Sequence, residues 1–303
     1  MTFDFGEVLT HAWKITWKHK VFWAISILPF LTMFLFLPFW LVFVFQENVG
    51  FDTMSIWMQN PIYMSIAVVA YLIIFAVSIF LQIASRSSLT LGIYRAETVS
   101  QPITFVDLLR SGSQYFWRML GIAFLIGVGT IAIFIAFFAV MGALSVATMG
   151  LAALCVQPLF ILMIPFSMLV MAFMEQSESA IVADEMSVMD ALRRAYGLIK
   201  SNIWKYVLLT IIIYFGMNIL VSLVAFPFMI PMVFFMTRNL EAGLNFNTML
   251  RMQAVFGVVM LPLMALVQGF SLTYMKSAMM LTYLRLTRHS QSQPLPGTVE
   301  AAA

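Results

Sequence analysis

Six stretches of this chain are long and apolar enough to call for a non-aqueous solvent: residues 21–45, 62–84, 119–140, 143–174, 206–236 and 254–284. About 20 consecutive apolar residues in a helix cross the hydrocarbon core of a bilayer. In hydrocarbon every backbone N–H and C=O must find its partner inside the protein, so only helices and closed barrels span. Barrel strands are short and alternate apolar with polar residues. These runs are continuous, and the expectation is an all-α polytopic bundle of six spans. Composition agrees: 62% of the residues are hydrophobic and 10% charged, against roughly 25% charged in soluble domains.

The bases give the bundle a direction. Of the 16 lysines and arginines, 14 fall before the first run, between the second and third, between the fourth and fifth, or around the end of the sixth. Arg238 and Arg251 alone fall in the other linkers. Bases concentrate on the cytoplasmic side of membrane proteins, so both termini are expected in the cytoplasm and 46–61, with Glu47 and Asp52, outside. The expected location is a bacterial cytoplasmic (inner) membrane. The net charge of +3 therefore reads as topology, and no nucleic acid is expected as a partner. One cysteine, Cys155, allows no internal disulfide, and His11, His19 and His289 lie outside the runs, so no metal or cofactor is expected. The start of the chain does not resemble a cleavable signal peptide, since no small-residue cleavage site follows a short apolar core.

Three linkers share a motif: Asp4-Phe5-Gly6-Glu7, Thr104-Phe105-Val106-Asp107 and Ser187-Val188-Met189-Asp190. A cap residue followed three positions later by an acid matches a capping box or a close variant, and it places negative charge at the positive end of the helix dipole. Each motif is expected to open an amphipathic helix lying in the membrane interface. In the first, Phe5, Leu9, Ala12 and Trp13 form the apolar face; in the third, Val188, Leu192, Ala195, Tyr196 and Ile199. Trp17, Trp117 and Trp204 follow as interfacial anchors. The unit is an interfacial helix and a helical hairpin, and three parallel copies cover about 4–97, 103–179 and 187–286. Arg86 and Arg95 at the end of the first copy are echoed by Lys276 and Arg285 at the end of the third, with Ser87 matching Ser277 and Leu91 matching Leu281. The second copy ends instead in Glu175 and Glu178. The membrane domain is expected to cover 1–288, with a disordered tail at 289–303.

The segments Ala183-Asp184-Glu185-Met186-Ser187, Asp190-Ala191-Leu192-Arg193-Arg194-Ala195-Tyr196, Leu91-Gly92-Ile93-Tyr94-Arg95-Ala96 and Tyr283-Leu284-Arg285 resemble bacterial multi-pass proteins that include the membrane domain of glycerophosphoryl diester phosphodiesterases. The resemblance implies a six-helix-type membrane domain. In that family catalysis belongs to a separate soluble barrel, for which this chain has no room, so the activity is not carried over.

Two groups of residues are candidates for function. Arg86 and Lys276 are expected to snorkel toward the interface, and these two, with Arg95 and Arg285, could hold anionic lipid headgroups. Gln157, Asn218 and Gln268 lie inside the runs; they read either as a polar site or as interhelical hydrogen bonds, and the second is the expectation. Glu175, Glu178, Asp184 and Glu185 read as a solvated linker. The functional expectation is a non-catalytic membrane protein that organises or binds other membrane components, with membrane lipids and a membrane protein or a second copy as partners. A small-molecule or lipid transporter is the alternative.

Overall fold

The computed structural model describes residues 4–35, 37, 41, 60–98, 104–241 and 246–292. Every secondary-structure element among them is helical. In chain order these are α1 (Phe5–Lys18), α2 (Val21–Ile27), a 3-10 turn (Leu28–Phe30), α3 (Pro61–Thr98), α4 (Phe105–Gly112), a second 3-10 turn (Ser113–Tyr115), α5 (Phe116–Ala147), α6 (Leu151–Ala183), α7 (Val188–Ser201), α8 (Ile203–Glu241) and α9 (Phe246–Ser292). Four helices among the described residues are long and apolar enough to cross a membrane, or up to five when Phe5–Lys18 and Val21–Leu35 are taken together.

The helix starts follow from their caps. Asp4 Oδ1 accepts from the N–H groups of Gly6 and Glu7 at 2.8 and 3.2 Å, and Ser187 Oγ accepts from Asp190 N–H. Thr104 departs from the expected box. Its backbone is extended and its carbonyl accepts from Leu108 N–H at 3.1 Å, but its side chain makes no cap bond.

Several expected boundaries move. The third run was expected to end before 143, yet α5 continues to Ala147, and the turn lies at Thr148, Met149 and Gly150. Gly150 takes a φ of +92°, which glycine adopts freely, and its N–H closes the turn on the Ser145 carbonyl at 2.8 Å. At the other end, α9 runs on through residues 289–292, which were expected to be disordered, while 293–303 and the expected outside loop from 46 to 59 lie outside the described residues. Pro227 and Pro231 sit inside α8, and Pro262 sits inside α9.

The chain divides into two compact units. The first holds Met1–Lys18, Ser87–Tyr214 and Tyr274–Ala303. In it α6 packs on α5 and α7, and α5 also meets α7. A small buried residue recurs eight positions after each cap: Ala12, Gly112 and Ala195. The position four after each cap is buried too, as Val8, Leu108 and Ala191. Gly112 admits the closest approach: a Cβ there would stand 2.4 Å from Ser88 Oγ and 2.7 Å from Ser88 Cα.

This packing corrects the expected apolar faces. Trp13 and Tyr196 were placed on them, yet both are exposed; α1 buries Val8, Ala12, Ile15 and Thr16, and α7 buries Ala191, Ala195, Leu198 and Ile199. The inner faces mix small residues with Val8, Ile15, Leu198 and Ile199, and the small ones allow the close approach that helix packing uses.

The second unit holds His19–Arg86 and Phe215–Thr273. Ser26 Oγ and Thr273 Oγ1 share a buried hydrogen bond of 2.8 Å, and Ser85 Oγ donates to the Ile25 carbonyl at 2.6 Å. Trp23 meets Phe270 edge-on at 5.2 Å. Gly269 sits so close to α2 that a Cβ would lie 2.7 Å from Ile27 Cγ1. The apolar first part of α3 is exposed along its length, with Ile62, Ile66, Val69, Leu72, Ile73 and Phe80 all outward.

Candidate functional site: a buried charge triad

Glu175 and Glu178 stand one helical turn apart near the end of α6, a spacing that places both on one face. Lys276 reaches them from α9. Its Nζ donates to Glu175 Oε2 at 2.8 Å and to Glu178 Oε2 at 2.5 Å. The side chains are 1%, 5% and 1% exposed for Lys276, Glu175 and Glu178. Two sequence expectations are thereby replaced. Lys276 does not snorkel to a headgroup, and the two glutamates are not a solvated linker. Desolvating an ammonium is costly unless a carboxylate is at hand, and here α6 supplies two.

Polar groups extend the triad along α6. Gln176, also buried, donates from Nε2 to the Met279 carbonyl of α9 at 3.2 Å and accepts from the Tyr206 hydroxyl of α8 at 3.1 Å. The Tyr283 hydroxyl of α9 donates to Asp184 Oδ2, and Arg194 of α7 interacts with the same hydroxyl. Four helices are thus joined by directional bonds where apolar packing alone would leave their register loose. Among the described residues, Ser88 Oγ, Thr210 Oγ1 and Ser277 Oγ are buried without a hydrogen-bond partner.

A second set of contacts lies nearer the surface. Arg285 pairs with Glu7 at 2.9 Å and Arg95 with Asp107 at 2.8 Å. In each case the arginine closing one segment holds the acid of a capping motif on another. His11 pairs with Glu97 at 2.8 Å. At the third motif Asp190 takes a hydrogen bond from its own cap, Ser187 Oγ, at 2.6 Å, and the Glu185 carbonyl accepts from Arg118 at 3.2 Å.

The other sequence candidates are scattered. Arg86 is half-buried in α3 and engaged in interactions of its own. Asn218 is exposed on α8 and also engaged. Gln268 is half-buried on α9. Gln157 belongs to α6, and its side chain lies outside the described residues.

Chemically, the triad is an electrostatic lock. Lys276 holds each glutamate through its Oε2. Among the described residues no group of three or more His, Cys, Asp or Glu side chains could hold a metal ion.

No family model matches the chain, and no curated protein or solved structure matches it.

Proposed function

We propose that this is a non-catalytic integral membrane protein that organises or binds other membrane components, built as six spans in three parallel repeats with both termini in the cytoplasm. One observation carries the reading: the short helices α1, α4 and α7 turn Trp13, Trp17, Val106, Met189 and Tyr196 outward while Ala12, Gly112 and Ala195 lie buried. Such faces suit contact with lipid or with another membrane protein, and the charged groups beneath them are engaged with one another. The pairing of Arg285 with Glu7 and of Arg95 with Asp107 supports the repeat, because equivalent residues serve equivalent joints. The kinship with the membrane domain of glycerophosphoryl diester phosphodiesterases belongs to the same proposal. Cross-linking of the full chain in native membranes, read by mass spectrometry, tests it. Recovery of one reproducible membrane protein, or of a defined homo-oligomer, is the expected result. Monomer alone at every cross-linker length contradicts it.

A transporter is the second reading, and the triad is what favours it. Ionisable groups buried within a helical membrane bundle are by default candidates for a solute or proton path. In a Cys155→Ser background, labelling of a Lys276→Cys variant by a water-soluble thiol reagent would support transport, since a path needs water at the triad. Protection there supports the organising role.

A further inference from the structure

Each of the three short helices leads into its neighbour through a tryptophan followed at once by a base: Trp17-Lys18, Trp117-Arg118 and Trp204-Lys205. The three indoles are 49%, 77% and 81% exposed, and Lys18, Arg118 and Lys205 are exposed beside them. We infer that these dipeptides form a membrane-reading surface that selects anionic lipid headgroups, the indole seated at the headgroup boundary and the adjacent cation on the phosphate.

Charge is sorted along the helices in the way this requires. Each carries its acid in the first turn and a base in the last: Glu7 and Lys18 on α1, Asp107 and Arg110 on α4, Asp190 and Lys200 on α7. The acids are engaged at their own end, by Arg285, Arg95 and the Ser187 cap. The end bearing the tryptophan is therefore left with positive character. Two of the cations are steadied in place: Arg118 donates to the Glu185 carbonyl at 3.2 Å and Lys205 to Asn202 Oδ1 at 2.9 Å. Neighbouring aromatics widen the surface, with Trp13 against Trp17 at 5.9 Å and Lys200 5.8 Å over the Tyr196 ring. Indoles favour the headgroup depth, and anionic lipid attracts each nearby base through its net negative charge; a zwitterionic lipid offers a phosphate too, but its own cation cancels that charge, so it attracts the base less. The residues that sequence alone pointed to for this task are committed elsewhere, since Arg95, Lys276 and Arg285 are all held by carboxylates within the protein.

This inference rests on the proposed placement of the three helices on one leaflet. Its test uses the full chain in mild detergent, mixed with equal amounts of phosphatidylglycerol and phosphatidylcholine of the same acyl chains, with retained lipid counted by native mass spectrometry. The wild type should retain phosphatidylglycerol in preference. Combined Lys18→Gln, Arg118→Gln and Lys205→Gln should cut that preference by about a hundredfold, at about fivefold per base. Arg238→Gln, which removes an exposed base with no tryptophan beside it, should leave it unchanged. Equal retention of the two lipids by the wild type overturns the inference, as does a triple variant that keeps its preference. If the triple variant fails to fold, the wild type decides alone: the preference must weaken as salt rises, and a salt-independent preference also overturns it. Partner capture by cross-linking is read separately, so this surface and the organising role can fail independently.

Discussion

Lys276 and Glu178 meet at 2.5 Å with each side chain 1% exposed, and Glu175 completes the contact from the preceding turn of the same helix. Pairing of this kind stabilises little relative to an apolar core, yet breaking it from one side leaves a buried charge without its partner. The expected cost of losing one member is about 3–5 kcal/mol. Lys276→Met should therefore lower the unfolding temperature in detergent sharply. Lys276→Met combined with Glu175→Gln and Glu178→Gln should recover more than half of the loss. A single variant as stable as the wild type would contradict the lock.

The surface pairs should behave differently. Arg285–Glu7 and Arg95–Asp107 are partly exposed, and exposed pairs contribute roughly 0–1 kcal/mol. Arg285→Gln and Arg95→Gln should each shift stability by less than about 1 kcal/mol, and the shift should shrink in high salt. Thermal unfolding at two ionic strengths measures both effects. A loss as large as that for Lys276→Met would mean that these pairs hold the fold.

Glycine substitutions separate close packing from lipid exposure. Gly112 lies against Ser88 so tightly that even a methyl group would meet main-chain atoms at 2.7 and 2.9 Å. A methyl group at Gly127 on α5 would meet nothing within 4 Å. Gly112→Ala should cost about 1–3 kcal/mol through overpacking, whereas Gly127→Ala should be neutral or slightly stabilising, because alanine favours the helix. Thermal unfolding of the two variants in the same detergent makes the comparison. Equal effects at the two sites would contradict the crossing of α3 and α4.

Much of the scaffold was legible because each signal was local. The apolar runs locate the long helices, and the caps Asp4 and Ser187 locate the starts of α1 and α7. Gly150 is the local sign of the turn between α5 and α6, but the unbroken apolar run around it hid the exact place. The faces of the short helices were read with the rule for water, which sends tryptophan inward; Trp13 is exposed instead, and Ala12, Gly112 and Ala195 take inner positions. The triad was missed for a different reason. Charges at the end of an apolar run normally stay solvated, and the partner of Glu175 and Glu178 lies about 100 residues away. A clue was present: Glu175 and Glu178 put two acids one turn apart in a chain with few charges near its apolar runs, and Lys276 is a base near the end of another such run.

The central claim is the threading of the chain through the membrane, because the organising role, the repeat and the lipid surface all depend on it. Single cysteines placed in a Cys155→Ser background at Gln114, in the turn after α4, and at Met149, 98% exposed between α5 and α6, test it directly. In intact cells a membrane-impermeant thiol reagent should label Met149→Cys at once and Gln114→Cys only after the membrane is opened. Labelling of both from the same side would contradict the account.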